Sequence, residues 1–563
     1  MEEKRVIYQV IPRLFGNTQG ANVQGGSIEE NGCGKFNNFT NNALKYIKSL
    51  GCTDVWFTGV IEHAQQTSYL KEGITEDYPE IVKGKAGSPY AIKDYYDVDP
   101  DLAVDVKNRM GEFEALIKRT KAEGLRVIID FVPNHLARNY VSDAKPAGVE
   151  DFGASDNKEV KFAINNNFYY FPNQPFTAPL QPTSERRWQE NPARVTGNDA
   201  FTPTPSINDW FETVKLNYGV DYQNGNTSYF NPIPDTWRKM HHILRYWAQK
   251  GVDGFRCDMA EMVPVQFWGW VINEIKTEFP SIIFIAEVYN PSLYRLYINE
   301  GKFDFLYDKE GFYNVLRNVI VGYQPAKDIT GCWQQTEDIL QKMLYFNENH
   351  DEQRLASDFF AGNSEVGKPA MLLSSALTRN PYMLYFGQEL GERGMDEEGF
   401  SGRDGRTTIF DYWKMDKIAR LNSNDTFDDS LLTKEEIDLK GFYKRVLNLF
   451  TTNEALSSGK FYDLMYANLH NTRFDFNKTF VFLRHTENEV LLIIVHFGNY
   501  SYDARIIIPQ HALDTAGLGK KEFFKGDNLL NRSHHILFPK QMLLTTGFGV
   551  EIKPYDALIF KLK

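Results

Sequence analysis

The chain has 563 residues, more than one compact domain normally contains, so two or three units around a sizeable buried core are expected. Its formal net charge is −12, and no clustered run of Lys and Arg interrupts this acidic balance. Because nucleic-acid binding requires a cationic surface that neutralises phosphates, the composition argues against a nucleic-acid partner and favours a neutral or small substrate.

The first residues run directly into Val6-Ile7-Tyr8-Gln9-Val10, without the apolar core or cleavage site of a signal peptide. No stretch is long and apolar enough to span a membrane. We therefore expect a cytoplasmic protein with no membrane partner, or a periplasmic or secreted one if a leader has been removed. No pattern in the chain indicates an oligomeric state.

The four cysteines are widely spaced and form neither a CxxC pair nor a cluster with His at metal-ligand spacing. We interpret them as reduced thiols of the core, with a disulfide or a zinc site as the alternative. They are Cys33, Cys52, Cys257 and Cys332.

Short β-branched runs alternate with amphipathic helical stretches over most of the chain, which is the pattern of βα units on a parallel sheet. Thr40 can cap one such helix and Gly51 can end it, and Gly124 and Gly251 can end two others. Eight strands connected by helices close most naturally into a (β/α)8 barrel, whose active site lies on the loops at the carboxyl ends of the strands. The predicted strands are 6–14, 53–60, 126–132, 252–258, 282–289, 303–308, 344–350 and 383–389.

Two connections, between strands two and three and between strands three and four, are too long for simple crossovers. The second is rich in Asn, Pro and aromatic residues, and its first part is predicted to be an excursion domain that overhangs the barrel mouth. Beyond the last helix the pattern changes to hairpin-like strands, which indicates a C-terminal antiparallel β-sandwich domain. The predicted domains are the barrel at 1–135 and 221–454, the excursion domain at 136–220 and the β-domain at 455–563.

Four of the predicted strands end in polar clusters with acidic residues, which the packing of a buried strand does not require. Because the strand ends of a barrel converge on one mouth, residues distant in sequence can surround one substrate atom there. Three carboxylates are therefore candidates for one site. The clusters are Asp130 to His135, Gly254 to Asp258, Ala286 to Val288, and Phe346 to Asp351.

Arg256 and Asp258 should point to the same face of their strand, with Cys257 on the opposite face. The fixed charge of Arg256 is expected to lower the pKa of Asp258, as a nucleophile requires. Repulsion from the neighbouring acids is expected to raise the pKa of Glu287, which suits a general acid. An ionised carboxylate beside a protonated one can cleave a glycoside through an oxocarbenium-like transition state.

Each of these residues also has a structural interpretation. A lone acid at a strand end is usually a cap or an ion-pair partner, but three at strand spacing favour a site. His135 alone could be a structural histidine, whereas His135 together with His350 indicates hydrogen bonding to a ligand. Tyr90 could pack its loop or form a platform on which a sugar stacks.

These clusters resemble the signature regions of the α-amylase family of glycoside hydrolases. The resemblance runs from about residue 6 to the C-terminus and includes Ser88-Pro89-Tyr90 and Gly387-Gln388-Glu389. Asp130 to His135 is similar to the family's DxxxNH segment, Gly254 to Asp258 to its GxRxD segment, Glu287 to its strand-five acid, and His350-Asp351 to its HD pair.

The resemblance implies a retaining double displacement. Asp258 would form a covalent glycosyl-enzyme, Glu287 would act as acid and then as base, and Asp351 would stabilise the transition state. The pocket that holds the reacting glucose would be lined by Tyr90, His135, Arg256 and His350.

The same resemblance implies α-1,4-glucans or malto-oligosaccharides as substrate and no required cofactor. A transglycosylase or an α-1,6-acting relative would use the same residues, and a non-catalytic relative would keep the barrel but lose the acids. After the nucleophile many amylases carry a Lys-His pair that contacts the leaving-group sugars. Glu261 and Met262 stand there in this chain, so the preference on that side stays open.

A calcium site is possible, but the position where the family usually has one does not support it. The segment similar to the family's LPDLN reads Val214-Lys215-Leu216-Asn217, so Lys215 replaces an expected carboxylate ligand and would repel Ca2+. We hypothesise that the lysine occupies this site, bonds to Asn134 and ties the excursion domain to the barrel. Alternatively, Lys215 faces solvent and the alignment is shifted. No metal ligand is predicted.

Overall fold

A computed structural model describes residues 4–181, 185–531 and 533–563. Eight parallel strands form a closed barrel in which each strand pairs with the next along the chain and the eighth pairs with the first, which confirms the predicted barrel and all eight strands. Each strand is shorter than predicted, because the last residues of each run already belong to loops. The strands are β1 (Val6–Val10), β2 (Asp54–Phe57), β3 (Arg126–Phe131), β4 (Gly254–Cys257), β5 (Ile283–Ala286), β6 (Phe305–Tyr307), β7 (Met343–Phe346) and β8 (Tyr382–Tyr385).

Helices follow the barrel strands and cover the outside of the barrel. The first begins where Thr40 Oγ1 accepts a hydrogen bond of 3.2 Å from Ala43 N, and it is followed by Gly51 at a φ of 101°. Both ends were predicted. The main helices are Asn41–Ser49, Arg109–Ala122, Asp235–Gln249, Val265–Glu278, Tyr294–Asn299, Asn314–Val321, Ile329–Gln335, Gly367–Ala376, Asp416–Asn422 and Lys434–Thr452.

The barrel interior changes from apolar to polar along the strands. Side chains at alternate positions face inward, and the lower positions form one buried apolar cluster. At the next inward-facing positions, two residues closer to the barrel mouth, polar residues replace the apolar ones. The pairs are Ile7 and Gln9, Ile128 and Asp130, and Ile285 and Glu287. The packed lower layer therefore supports a polar layer at the mouth.

The two long connections contain small antiparallel sheets. Between β2 and β3, the strands Ile61–His63 and Ile92–Val98 form a hairpin. After β3 the chain enters an irregular excursion segment before the helix Asp235–Gln249, and the boundaries 136–220 stay a prediction. Its paired strands are His135–Ala137 with Thr213–Lys215, Tyr170–Phe171 with Ala193–Arg194, and Val220–Asp221 with Thr227–Ser228.

The C-terminal region forms antiparallel sheets, as predicted. One sheet has six strands, and a smaller sheet pairs the strands Tyr502–Ile506 and Phe548–Ile552. The two sheets are in contact, since the rings of Phe538 and Phe548 stack with centroids 4.5 Å apart. The six-stranded sheet has the order Lys460–Asp463, Thr479–His485, Val490–His496, Ala557–Leu562, Phe523–Asn528 and His535–Pro539.

The four cysteines are not paired with one another in the structure. Cys52, Cys257 and Cys332 are buried in the core, whereas Cys33 is partly exposed. Within the described segments, no helix has the combination of length and apolar character that crossing a membrane requires.

Candidate active site

The barrel mouth contains a pocket of about 350 Å³. Six of the seven predicted site residues line it, and the seventh, Arg256, lies beneath it. The six are Tyr90, His135, Asp258, Glu287, His350 and Asp351.

Arg256 is the centre of this site and is fully buried. Its Nη1 lies 2.7 Å from Asp258 Oδ1, and its Nη2 lies 2.7 Å from Glu287 Oε1. A third carboxylate, Asp130, has its Oδ1 3.7 Å from Nη1. The guanidinium also lies 5.3 Å from the centre of the Trp56 ring. One cation therefore orients two acids that reside on different strands.

The expected lowering of the Asp258 pKa is wrong. The pKa of Asp258 is raised, because burial outweighs the attraction of Arg256. The sequence spacing identifies the neighbouring cation but does not show how deeply Asp258 is buried. Burial removes water from the carboxylate and so disfavours its charged form. Arg256 is still the largest effect that opposes burial, so the ionisation of Asp258 depends on it.

Glu287 is held by contacts that the sequence did not reveal. Its Oε2 accepts a hydrogen bond of 2.8 Å from the backbone N–H of Met259, and its Oε1 accepts one of 2.8 Å from the Tyr289 hydroxyl. Burial, opposed by Arg256 and reinforced by the charge of Asp258, raises the pKa of Glu287. The predicted direction is correct, although burial rather than repulsion is its main cause. Met259 has a φ of 43°, a left-handed conformation that directs its N–H to the acid.

Asp351 and His350 lie side by side in the loop after β7. The backbone N–H of Asp351 donates to Asn349 Oδ1 at 2.9 Å, and His350 Nε2 lies 3.1 Å from Asp351 Oδ2. Burial and repulsion from Glu287 raise the pKa of Asp351 to about 8. The loop is anchored by a buried ion pair of 2.9 Å between Arg354 and Glu348.

His350 connects the loop after β7 with Tyr90. Its Nε2 lies 2.5 Å from the Tyr90 hydroxyl, and its Nδ1 lies 2.8 Å from Gln9 Nε2. Since the Gln9 amide donates to Nδ1, the ring proton resides on Nε2. Burial lowers the pKa of His350 well below its usual value, so the ring is neutral. Tyr90 both packs against this histidine and lines the pocket.

His135 lies on the side of the pocket formed by the excursion segment. Its Nε2 is 3.9 Å from Asp258 Oδ2, and its ring centroid is 5.1 Å from that of Trp210, which the sequence did not reveal. Burial and the positive charge of Lys215 lower the pKa of His135 to about 3. The ring is therefore neutral and can donate or accept a hydrogen bond.

Lys215 is buried, so the alternative in which it faces solvent is wrong. Its ammonium donates a hydrogen bond of 2.9 Å to Asn134 Oδ1 and forms an ion pair of 2.6 Å with Asp199 Oδ1. The predicted contact with Asn134 is thus present and joins the top of β3 to the excursion segment. In the part of the chain that the structure describes, no group of three His, Cys, Asp or Glu side chains has metal-binding geometry. The oxygen donors here, Asn134 Oδ1 and Asp199 Oδ1, are paired with an ammonium.

The family profile described as alpha amylase, catalytic domain, matches residues 9–435. The chain belongs to the alpha-amylase family. It is a glycoside hydrolase, as the resemblance implied. Over 500 residues it is 21% identical to alpha-amylase 2 of Dictyoglomus thermophilum, and the match covers 88% of this chain and 69% of that relative.

Two solved structures of alpha-amylases share the fold along their whole length. A maltogenic alpha-amylase from Thermotoga neapolitana has a TM-score of 0.62 at 18% identity, covering 99% of this chain and 98% of the other. An alpha-amylase from Geobacillus thermoleovorans, solved with acarbose, has a TM-score of 0.64 at 17% identity, covering 100% and 98%. Identities this low support the fold and not the substrate.

Further residues of the pocket come mostly from loops and were not predicted. Tyr289 follows Glu287 by two positions, a spacing that could have suggested it. Met259 directly follows Asp258, Thr213 begins the short strand Thr213–Lys215, and the others lie in long connections without any readable periodicity. Besides Tyr289, these further residues are Lys83, Ser88, Trp210, Glu212, Thr213, Met259, Phe400, Arg406, Ile409 and Phe410.

Asp130 lies beneath the pocket, and its raised pKa should make the stability of the protein depend on pH. Burial raises its pKa to about 7, above the unfolded value of roughly 3.9. Between these values the folded state binds more protons, so the free energy of unfolding falls as the pH rises from about 4 to about 7. Asp130→Asn removes this loss, and the amide oxygen can still accept from Trp56 Nε1.

We expect the free energy of unfolding of Asp130→Asn, relative to that of the wild type, to be larger at pH 8 than at pH 4.5 by about 1 kcal/mol or more. Urea unfolding at both pH values measures this difference. Glu397→Gln is the matched control, because the Glu397 side chain is 68% exposed. An equal difference between Asp130→Asn and the wild type at both pH values would contradict the assignment.

Proposed function

We propose that the protein hydrolyses α-1,4-glucosidic bonds of α-glucans or malto-oligosaccharides by a retaining double displacement at this pocket. The observation that carries the proposal is the pair of 2.7 Å contacts through which Arg256 orients Asp258 and Glu287. This reaction requires two carboxyl groups at one pocket, one as nucleophile and one as acid and base. The curated relatives named alpha-amylase are consistent with this substrate class.

In the first step Asp258 attacks the anomeric carbon while the glycosidic bond breaks. Arg256 holds Oδ1 of Asp258, so Oδ2 is the oxygen available for the attack. The bonding electrons pass to the glycosidic oxygen, which takes the proton of Glu287, and the leaving chain departs as an alcohol. The raised pKa of Glu287 favours the protonated form that this step requires.

In the second step water hydrolyses the glycosyl-enzyme. Glu287, now a carboxylate, accepts a proton from water, whose oxygen attacks the anomeric carbon and releases Asp258. The N–H of Met259 and the hydroxyl of Tyr289 donate to Glu287 and keep it in place in both protonation states. Arg256 stabilises each carboxylate when it carries the negative charge.

The remaining predicted residues bind the reacting glucose in this proposal. His135 and His350 are neutral and line the pocket, where each can hydrogen-bond a sugar hydroxyl. Tyr90 supplies an aromatic face at the pocket wall. Asp351 stabilises the positive charge that develops on the sugar ring once its own proton has been lost.

Asp258→Asn tests the nucleophile. We expect kcat on maltoheptaose to fall by about a thousandfold or more at an unchanged melting temperature, because the amide is isosteric but a poor nucleophile. Glu278→Gln is the control, since this helix carboxylate is 44% exposed. A correctly folded Asp258→Asn enzyme with more than a tenth of the wild-type activity would remove Asp258 from this role.

We also propose that activity does not require calcium at the junction between barrel and excursion segment. The Lys215 ammonium supports this proposal, because it is buried against Asn134 Oδ1 and Asp199 Oδ1, the oxygens that would have to bind Ca2+ at this position. A charge already present there leaves Ca2+ neither space nor electrostatic attraction.

Exhaustive EDTA treatment is expected to leave activity and melting temperature unchanged. Lys215→Ala should lower the free energy of unfolding by about 1–3 kcal/mol, because Asn134 and Asp199 lose their partner. Lys434→Ala is the matched control, since that lysine side chain is 82% exposed. The idea fails if EDTA abolishes activity that calcium restores while Lys215→Ala has no effect.

A further inference from the structure

The loops after β2 and β8 lie across the barrel mouth from the general acid. In the closed ring β5 is opposite β1, and β2 and β8 flank β1. Glu287 follows β5 directly, so the loops after β2 and β8 form the opposite rim of the pocket. Lys83 comes from the first of these loops, and Phe400, Arg406 and Phe410 come from the second.

An ion pair joins this rim to the excursion segment. Lys83 Nζ lies 3.1 Å from Glu212 Oε1, and both side chains line the pocket. The Glu212 side chain is 5% exposed and that of Lys83 is 25% exposed. The pair thus connects the loop after β2 with the segment that carries Trp210, on the same side as His135.

The loops after β2 and β8 are also bonded to each other. Ala86 N donates to Phe410 O at 2.9 Å, and Lys85 N donates to Asp411 Oδ1 at 2.9 Å. Gly84 has a φ of 65°, and a Cβ on it would lie 2.3 Å from Phe410 O, so only glycine permits this approach. Three segments therefore meet in one wall of the pocket, and the two of them that follow β2 and β8 lie opposite Glu287.

Two residues that line the pocket at this wall carry polar atoms without hydrogen-bond partners. Glu212 Oε2 and Arg406 Nε are buried and have no hydrogen-bond partner among the described residues. A buried carboxylate oxygen without a donor is costly, and sugar hydroxyls can both donate to Glu212 and accept from Arg406 or Lys83. Phe400 and Phe410 add an edge-to-face aromatic pair with centroids 4.9 Å apart.

We propose that this wall makes the enzyme act from chain ends, with Glu212 and Lys83 binding hydroxyls of the terminal non-reducing glucose. The inference rests on the proposed function. The leaving chain departs on the side of Glu287, because the acid must reach the glycosidic oxygen. The non-reducing part of the substrate extends the other way and ends at the wall, so short sugars are released from that end.

The wild-type enzyme can be tested with two maltoheptaose substrates that carry the same label at the reducing end. One has a free non-reducing end, and the other has its terminal 4- and 6-hydroxyls bridged by an ethylidene group. We expect the blocked substrate to be cleaved more than about tenfold more slowly than the free one. A site that hydrogen-bonds the terminal 4- and 6-hydroxyls binds a substrate poorly when those hydroxyls are blocked. Chromatography of the labelled products measures both rates.

The outcomes separate the two proposals. Cleavage of both substrates at rates within tenfold of each other would overturn action from chain ends while leaving the hydrolase intact. Cleavage of neither substrate would overturn the proposed function, and with it the inference.

A double variant, Lys83→Ala with Glu212→Ala, tests the wall itself. We expect the ratio of free to blocked cleavage to shrink at least about fivefold, because the truncated wall admits the bridged end. Arg245→Ala with Glu278→Ala removes an exposed ion pair of 2.6 Å and is the matched control, which should keep the wild-type ratio. A folded double variant with an unchanged ratio would contradict the role of Lys83 and Glu212.

Discussion

The active site depends on one buried charge, the guanidinium of Arg256. A fully buried cation is tolerated only when carboxylates compensate it, and Asp130, Asp258 and Glu287 surround it from three adjacent strands. The barrel brings these residues together because the inward positions one step below them are apolar and packed. Removing the cation would leave buried acids facing one another without a compensating charge. The fold and the chemistry therefore share a single electrostatic constraint.

Burial and charge act in opposite directions on the acids of this site. Burial raises the pKa of Asp258 and of Glu287, and Arg256 opposes it at both. Because one guanidinium contacts both carboxylates, a proton on Glu287 leaves Arg256 to stabilise the charge of Asp258. This arrangement gives two chemically identical groups different roles, as acid and as nucleophile. Burial and the charge of Glu287 raise the pKa of Asp351 to about 8.

The sequence predicted the parts of the molecule that obey a local rule. The β-branched runs marked all eight barrel strands, and the polar clusters at their ends marked the acids, the two histidines and Arg256. The predicted direction of the Asp258 pKa shift was wrong because the shift depends on how deeply the carboxylate is buried, and residue spacing does not reveal burial. Glu212 and Arg406 were missed for another reason. They lie in long irregular loops, where the backbone path is set by contacts such as that of Gly84 with Phe410 and not by periodicity.

The central claim is that Asp258 and Glu287, oriented by one arginine, carry out two successive displacements. Its most direct test is the anomeric configuration of the first product, followed by proton NMR immediately after enzyme is added to maltoheptaose. Two inversions restore the starting stereochemistry, so the account predicts that the α anomer forms first and the β anomer appears only by mutarotation. A first-formed β anomer would show a single displacement by water and contradict the account.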